Sequence, residues 1–169
     1  MLNLLNLLIF LGKGETFPII FSDNILLMIL VVPLVSIFVL FFTSNLGNNF
    51  LYKFTLGSTV FSFLLSLFLW YSFDEIKGGF QFTYSLNIIP SWSFALRLGV
   101  DGISIFFILL TNLFIYLCIL NLNIHTHRLF EVLAHLLFLQ WGVLGSFLFI
   151  DILGFFVFFE MTLIPIYFL

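Results

Sequence analysis

One ionisable side chain lies in the middle of the last long apolar run of the sequence. Glu160 is the only charged residue among residues 152–169, and its neighbours one helical turn away, Phe156 and Ile164, are apolar. A charge at the centre of a membrane helix costs roughly 2.5–3.5 kcal/mol, so such a residue usually faces a protein interior or a water-filled path. Desolvation favours the protonated carboxyl, which suits a group that exchanges protons. We predict proton or ion handling at Glu160; the alternative is a structural carboxyl, protonated or paired with another helix.

A proline follows this glutamate five residues later and would alter the backbone beside it. Pro165 has no N–H, so it removes one helical hydrogen bond and should loosen the helix, making room for water or a neighbouring cation. None of the apolar runs that we predict to span a membrane contains Lys or Arg. The predicted spans therefore offer Glu160 no cationic partner.

Two other polar side chains lie in the preceding apolar run. His135 is near its start, where a histidine can hydrogen-bond at the membrane interface or pass protons. Gln140 is deep within the run, and we expect it to form an interhelical hydrogen bond. Both are candidates for a proton relay or polar network.

A basic and an acidic residue, Arg97 and Asp101, precede the third long apolar run and are four residues apart. We predict a structural role for them as an interfacial ion pair, with Asp101 favourably placed at a helix N-terminus. Gly99 and Gly102 flank this point and would let the backbone turn into the helix.

Motifs for cofactor or metal chemistry are absent from the sequence. It has no glycine-rich phosphate loop and a single cysteine, Cys118. His125 and His127 share a polar loop without further ligands nearby, so we predict a solvated loop rather than a metal site. The net charge of −3 rests on few groups and implies no nucleic-acid partner. We expect no metal, no cofactor and no redox catalytic site in this chain.

The elements that position these residues must lie in a membrane. Hydrophobic residues make up 63% of the 169 residues and charged residues only 8%, whereas soluble domains carry about 25% charged residues. Apolar runs of roughly membrane-spanning length lie at residues 25–43, 54–73, 102–122, 132–150 and 152–169. The sequence therefore predicts an all-α integral membrane protein of about five transmembrane helices, in one domain covering residues 25–169.

Two segments lie outside these spans. Residues 1–24 begin with an apolar run that is too short to cross a bilayer, so we expect an interfacial N-terminal segment. Residues 80–98 alternate apolar and polar side chains on either side of Pro90. This alternation predicts a β-hairpin on the membrane surface; the alternative is an irregular amphipathic loop.

Two motifs resemble a known family. Residues 98–104 read LGVDGIS and residues 158–165 read FFEMTLIP. In this order and at this separation they are similar to characteristic runs of subunit 4 of mitochondrial NADH dehydrogenase, respiratory complex I. Residues 80–94 (FQFTYSLNIIPSWSF) also resemble the surface hairpin segment of that family.

The resemblance implies an antiporter-like subunit of the membrane arm, in the mitochondrial inner membrane. Such a subunit translocates protons while other subunits, which hold flavin and iron–sulfur clusters, pass electrons from NADH to ubiquinone. Glu160 matches the family's key glutamate, which pairs with a lysine two helices later. The implied partners are other membrane-arm subunits and membrane lipids.

Members of this family continue for many further helices. The resemblance therefore implies an N-terminal fragment of a split subunit, with a second polypeptide supplying the remaining helices; the alternative is a truncated product. Two alternatives belong to other classes of protein: a structural or assembly fragment without its own proton path, and a subunit of a cation/proton antiporter.

Overall fold

The structure is a computed structural model that describes residues 18–74, 78–89, 94–124 and 128–169. In chain order its elements are the helices Pro18–Phe42 (α1) and Asn48–Ser72 (α2), the strands Gln81–Ile89 (β1) and Phe94–Val100 (β2), and the helices Ser104–Leu120 (α3), Leu129–Leu148 (α4) and Ile152–Phe168 (α5). The predicted all-α membrane fold with a hairpin between the second and third helices is confirmed. Most of the predicted interfacial N-terminal segment lies outside the described residues, and from Pro18 onwards the chain is already helical.

Three of the described helices are long and apolar enough to cross a membrane: α1 from Asn24, α2 and α4. The other two, α3 and α5, are apolar helices of 17 residues each. Since α2 begins at Asn48, Lys53 lies inside a membrane-spanning helix. The prediction that no span contains a basic residue was therefore wrong.

A short turn joins α1 to α2 at one end of the bundle. It consists of a 3₁₀ turn, Ser44–Leu46, followed by Gly47 with a φ of +93°. This left-handed backbone favours glycine because a Cβ would be strained there. Asn48 Nδ2 donates a hydrogen bond to the Ile124 carbonyl at 3.4 Å, which ties the turn to the loop between α3 and α4.

The hairpin pairs β1 with β2 in an antiparallel register that runs from Gln81 opposite Val100 to Ile89 opposite Phe94. The register shifts between Gln81 and Tyr84, where Phe82 has a φ of +54°. Such a bulge increases the local twist of a strand. The turn at residues 90–93 lies outside the described residues.

The hairpin is attached to the tight connection between α4 and α5. The N–H of Ile150 donates to the Arg97 carbonyl at 2.9 Å, and Asp151 Oδ2 accepts the Arg97 N–H at 3.2 Å. Gly99 permits this approach, because a Cβ there would lie only 2.6 Å from Ile150 Cδ1. The start of α5 is therefore fixed to β2.

Two apolar clusters fill the bundle, one at each end. The hairpin-side cluster comprises Ile25, Leu26, Ile29, Leu69, Leu98, Val100, Ile105, Ile108, Leu144 and Leu148. The loop-side cluster comprises Leu40, Leu51, Ile115, Ile119, Leu129, Leu133, Leu136 and Leu137. The clusters take opposite ends of α2, α3 and α4, so the middle of each of these helices lies between them.

Candidate functional site

The last helix packs against α4 at two glycines. A Cβ on Gly142 would lie 2.8 Å from Thr162 Cγ2, and a Cβ on Gly145 would overlap the ring of Phe158. Small residues of this kind let membrane helices approach closely. Because Phe158 and Thr162 both face α4, the two contacts fix the rotation of α5 about its own axis.

Glu160 lies on the opposite face of α5 from this contact. It is two positions from both Phe158 and Thr162, and two positions correspond to a rotation of about 200° around an α-helix. The buried side of α5 is formed by Gly154, Thr162 and Pro165, whereas Glu160 is exposed. The carboxylate therefore points away from the other helices.

The surface around this carboxylate is apolar. Its exposed neighbours on α5 are Phe156, Val157, Phe159, Leu163 and Ile164. Among the described residues, no basic side chain pairs with Glu160, and Arg128 pairs instead with Glu131. Any partner of Glu160 has to approach this outer face.

A layer of buried polar side chains separates the two apolar clusters. Gln140 Nε2 donates to Asn112 Oδ1 at 2.8 Å and to Ser62 Oγ at 3.3 Å. The Ser62 hydroxyl donates to Asn112 Oδ1 at 3.2 Å, and Asn112 Nδ2 donates to the Ser62 carbonyl at 3.4 Å. This buried polar layer, Ser62, Asn112 and Gln140, joins α2, α3 and α4. Gln140 thus makes the interhelical hydrogen bonds expected of it.

One acceptor in this layer remains unused by the described residues. Gln140 Oε1 is buried without a hydrogen-bond partner among them, as is Trp141 Nε1 on the next residue. Buried polar groups are normally satisfied by protein or by ordered water. Gln140 Oε1 can therefore accept a hydrogen bond. Its amide cannot take up and release a proton as a carboxylate does.

His135 contacts its own helix and the end of α5. Its Nδ1 is 2.6 Å from the Glu131 carbonyl of its own helix, and its ring centroid is 5.8 Å from that of Phe168. It lines a groove of about 220 Å³ between α1, α4 and α5, which Pro165 also lines and Glu160 does not. Among the described residues, no hydrogen bond joins His135 to Glu160 or to Gln140. A proton relay through these side chains stays a prediction.

Asp101 lies at the start of α3. Its Oδ1 accepts the Ser104 N–H at 2.7 Å. An N-cap side chain accepts the backbone N–H three residues later in the same way. Hydrogen bonds from the Ser104 side chain and backbone hold the pKa of Asp101 below its ordinary value.

The predicted ion pair of Asp101 with Arg97 is absent from the described part of the chain. That prediction was wrong because Arg97 lies in β2, where four residues span about 13 Å.

The two glycines beside Asp101 do not have the role predicted for them. Neither Gly99 nor Gly102 has a positive φ. Gly99 is needed for space beside Ile150, whereas a Cβ on Gly102 would make only an ordinary contact, 3.9 Å from Phe73.

The loop histidines, His125 and His127, lie outside the described residues. Within the described ranges no group of three His, Cys, Asp or Glu side chains could hold a metal ion.

Comparison with known proteins places the chain in a family. No family model matches it. NADH-ubiquinone oxidoreductase chain 4 of Chondrus crispus is 34% identical over 146 residues, which cover 85% of this chain and 30% of the relative. Chain 4 of Prototheca wickerhamii is 35% identical over 159 residues, covering 83% and 30%. The chain belongs to the chain 4 family. Subunit M of the NADH-quinone oxidoreductase of Rickettsia typhi is also similar, at 29% identity over 143 residues.

The chain spans about 30% of the length of these chain 4 relatives. The two motifs that resemble the family have distinct structural roles. LGVDGIS forms the junction from β2 to α3, where Gly99 accommodates Ile150 and Asp101 caps the helix. FFEMTLIP lies in α5, where Phe158 packs against α4 and Glu160 points outwards. One motif therefore positions the hairpin and the other positions the glutamate.

Two members of the buried polar layer, Ser62 and Asn112, were not predicted from the sequence. A signal for Ser62 was present, because the buried face of α2 includes Thr55, Thr59, Ser62 and Ser66 at the three- and four-residue spacing of one helix face. Thr55 and Thr59 donate to backbone carbonyls of their own helix, so the pattern alone does not identify the hydroxyl that links helices.

Proposed function

We propose that this chain is the N-terminal part of a proton-translocating membrane-arm subunit of NADH:ubiquinone oxidoreductase, and that Glu160 is the group on it that binds and releases a proton. The observation that carries the proposal is the direction of Glu160. Its carboxylate lies in the middle of an apolar helix, on the face that the described bundle leaves uncovered. Membership of the chain 4 family supports the assignment to this enzyme.

The free energy of placing Glu160 in the membrane depends on what covers the outer face of α5. A carboxylate in contact with lipid at mid-membrane costs roughly 2.5–3.5 kcal/mol, and protein or water on the outer face of α5 would remove this cost. The relatives are more than three times as long as the matched segment, because that segment is about 30% of their length. Further helices of the subunit would then pack on α5 and bring a basic group to Glu160.

In this arrangement the chain supplies one half of a proton-transfer step. The Glu160 carboxylate accepts a proton from water or another donor on the outer face of α5. It later releases the proton towards the other side of the membrane. Approach of a lysine ammonium favours the ionised carboxylate, and its withdrawal favours the protonated one. Electron transfer takes place in other subunits, which hold the flavin and iron–sulfur clusters of the enzyme.

The replacement Glu160→Gln tests this role, since it keeps the size and polarity of the side chain but cannot ionise. We expect a normally assembled complex whose NADH-driven proton translocation is reduced severalfold, measured in sealed vesicles alongside NADH oxidation. Glu131→Gln is the matched control, because that carboxylate is exposed at the membrane face near Arg128. Normal proton translocation in the Glu160→Gln complex would refute the proposed role.

A structural or assembly role is the second candidate. The observation that favours it is the buried polar layer, whose hydrogen bonds hold α2, α3 and α4 together. Under that function, deletion of the chain prevents assembly of the membrane arm, while Glu160→Gln leaves proton translocation unchanged. The antiporter alternative differs in composition: its purified complex would contain no flavin or iron–sulfur cluster and would not oxidise NADH.

We further propose that helices corresponding to the unmatched part of chain 4 are present in the same complex, in the mitochondrial inner membrane. Mass spectrometry of the purified complex tests this directly. Sequence homologous to that unmatched part, in amounts stoichiometric with residues 1–169, is the expected result, whether it continues this chain or belongs to a second polypeptide. Its absence would contradict the proposal.

A further inference from the structure

A groove on the outer surface of α1 and α2 has a lysine at one end. It has a volume of about 480 Å³, and its walls include Val31 and Val35 on α1 and Lys53, Gly57 and Phe61 on α2. The three α2 residues are spaced by four, so they form a stripe about 12 Å long down one side of the helix. The groove therefore runs from Lys53 towards the middle of the membrane.

The interior of this groove offers apolar contacts. Its two hydroxyl groups are already used, because Ser36 donates to the Val32 carbonyl at 2.8 Å and Ser58 donates to the Thr55 carbonyl at 2.9 Å. Gly57 leaves the α2 side open, since a Cβ there would meet nothing within 4 Å. An open apolar groove parallel to the helices suits a hydrocarbon chain.

Lys53 supplies a positive charge at the end of the groove that is nearer the membrane surface. It lies in the second turn of α2, beside the turn from α1, and its side chain is exposed. Within the described ranges, the acidic side chain at that end of the bundle is Glu131, which lies 3.7 Å from Arg128 rather than near Lys53. A lysine in this position extends its aliphatic stem along apolar surface and places its ammonium group at the headgroups.

We propose that this groove binds an anionic phospholipid, whose phosphate group pairs with Lys53 and whose acyl chain lies along Gly57 and Phe61. The charge argues for an anionic headgroup, because a basic residue at the membrane surface attracts anionic lipids. The inference depends only on the membrane-spanning fold, so it stands or falls independently of proton translocation by Glu160.

The experiment uses the native complex in vesicles that contain phosphatidylglycerol or phosphatidylcholine with a photoactivatable group on the acyl chain. After illumination, mass spectrometry locates the labelled residues. We expect labelling of α1 around Val31–Val35 and of α2 around Gly57–Phe61, about fivefold stronger with phosphatidylglycerol, the preference that one basic residue confers. Lys53→Gln should lower the phosphatidylglycerol signal to that of phosphatidylcholine, and Lys53→Arg should preserve it.

A second variant tests the groove itself. Gly57→Leu adds a side chain where there is open space, so we expect the bundle to remain intact and the labelling by both lipids to fall. Equal labelling of the unaltered complex by the two lipids would overturn the proposal. So would the absence of labelling by either lipid, which would show that a protein segment covers the groove.

Discussion

The ring of Phe158 occupies the space that a Cβ on Gly145 would need. Two further aromatic side chains hold this ring: Trp141, with ring centroids 4.9 Å apart in an edge contact, and Phe149, with centroids 4.7 Å apart in a stacked contact. The ring is therefore fixed by α4 and by the connection that follows it. Because Glu160 is two positions further along α5, this contact sets the direction of the carboxylate.

Gly145→Val should disturb that contact. The added side chain cannot coexist with the Phe158 ring, and overpacking of this kind typically costs about 1–3 kcal/mol. We expect a lower thermal midpoint for loss of this chain from the detergent-solubilised complex, together with reduced proton translocation in vesicles. Gly57→Val is the control, because its side chain would enter open space. Equal losses from the two replacements would show that packing against Phe158 is not the cause.

The buried polar layer should behave as one unit. We expect Gln140→Leu and Asn112→Leu each to lower the stability of the bundle by about 1–2 kcal/mol, because each leaves the other amide short of a buried partner. The double replacement should cost less than the sum, because it removes both amides together. The measurement is the midpoint of denaturant-induced dissociation for the three variants. Strictly additive losses would indicate that the amides act independently.

Asp101 should make folding depend on pH in acid. Hydrogen bonds from Ser104 lower its pKa in the folded state, so its contribution is fully present above the unfolded-state pKa of about 3.9 and is lost as pH falls through the lower folded pKa. Asp101→Asn should remove this part of the acid sensitivity, measured as stability against pH. Ser104→Ala, which keeps the backbone N–H, should reduce it only in part. Identical acid profiles for Asp101→Asn and the unaltered protein would exclude this role.

The link between Asp151 and Arg97 should protect the second strand from opening. Asp151→Ala removes the acceptor of the Arg97 N–H, so we expect faster amide hydrogen exchange in peptides covering Phe94–Val100. Exchange within α4 should stay unchanged, and Asp151→Asn, which retains an acceptor oxygen, should have a smaller effect. Unaltered exchange in Asp151→Ala would mean that the Ile150 hydrogen bond alone holds the strand.

The type and order of the described helices and strands followed from the sequence, because apolar runs and alternation of apolar with polar residues indicate which side chains are buried. The interhelical hydrogen bonding of Gln140 was also predicted, but its partners, Ser62 and Asn112, were not. Lys53 was placed outside its helix because a charge ends an apolar run, although a lysine stem is apolar enough to lie within one. The expected pairing of Arg97 with Asp101 failed because strand spacing separates them. The direction of Glu160 was not predictable from α5, which is apolar on nearly every side; glycines on α4 determine it.

The position of the buried polar layer, between one apolar cluster and the other, restricts how the bundle can move. If α3 slid along α4 by one turn, about 5.4 Å, Asn112 would enter an apolar cluster and both amides would lose their partners. That loss would oppose axial sliding of α2, α3 and α4. These three helices therefore form a rigid support, and a conformational change that accompanied the proposed proton transfer at Glu160 would involve α5 and the groups on its outer face rather than axial sliding within that support.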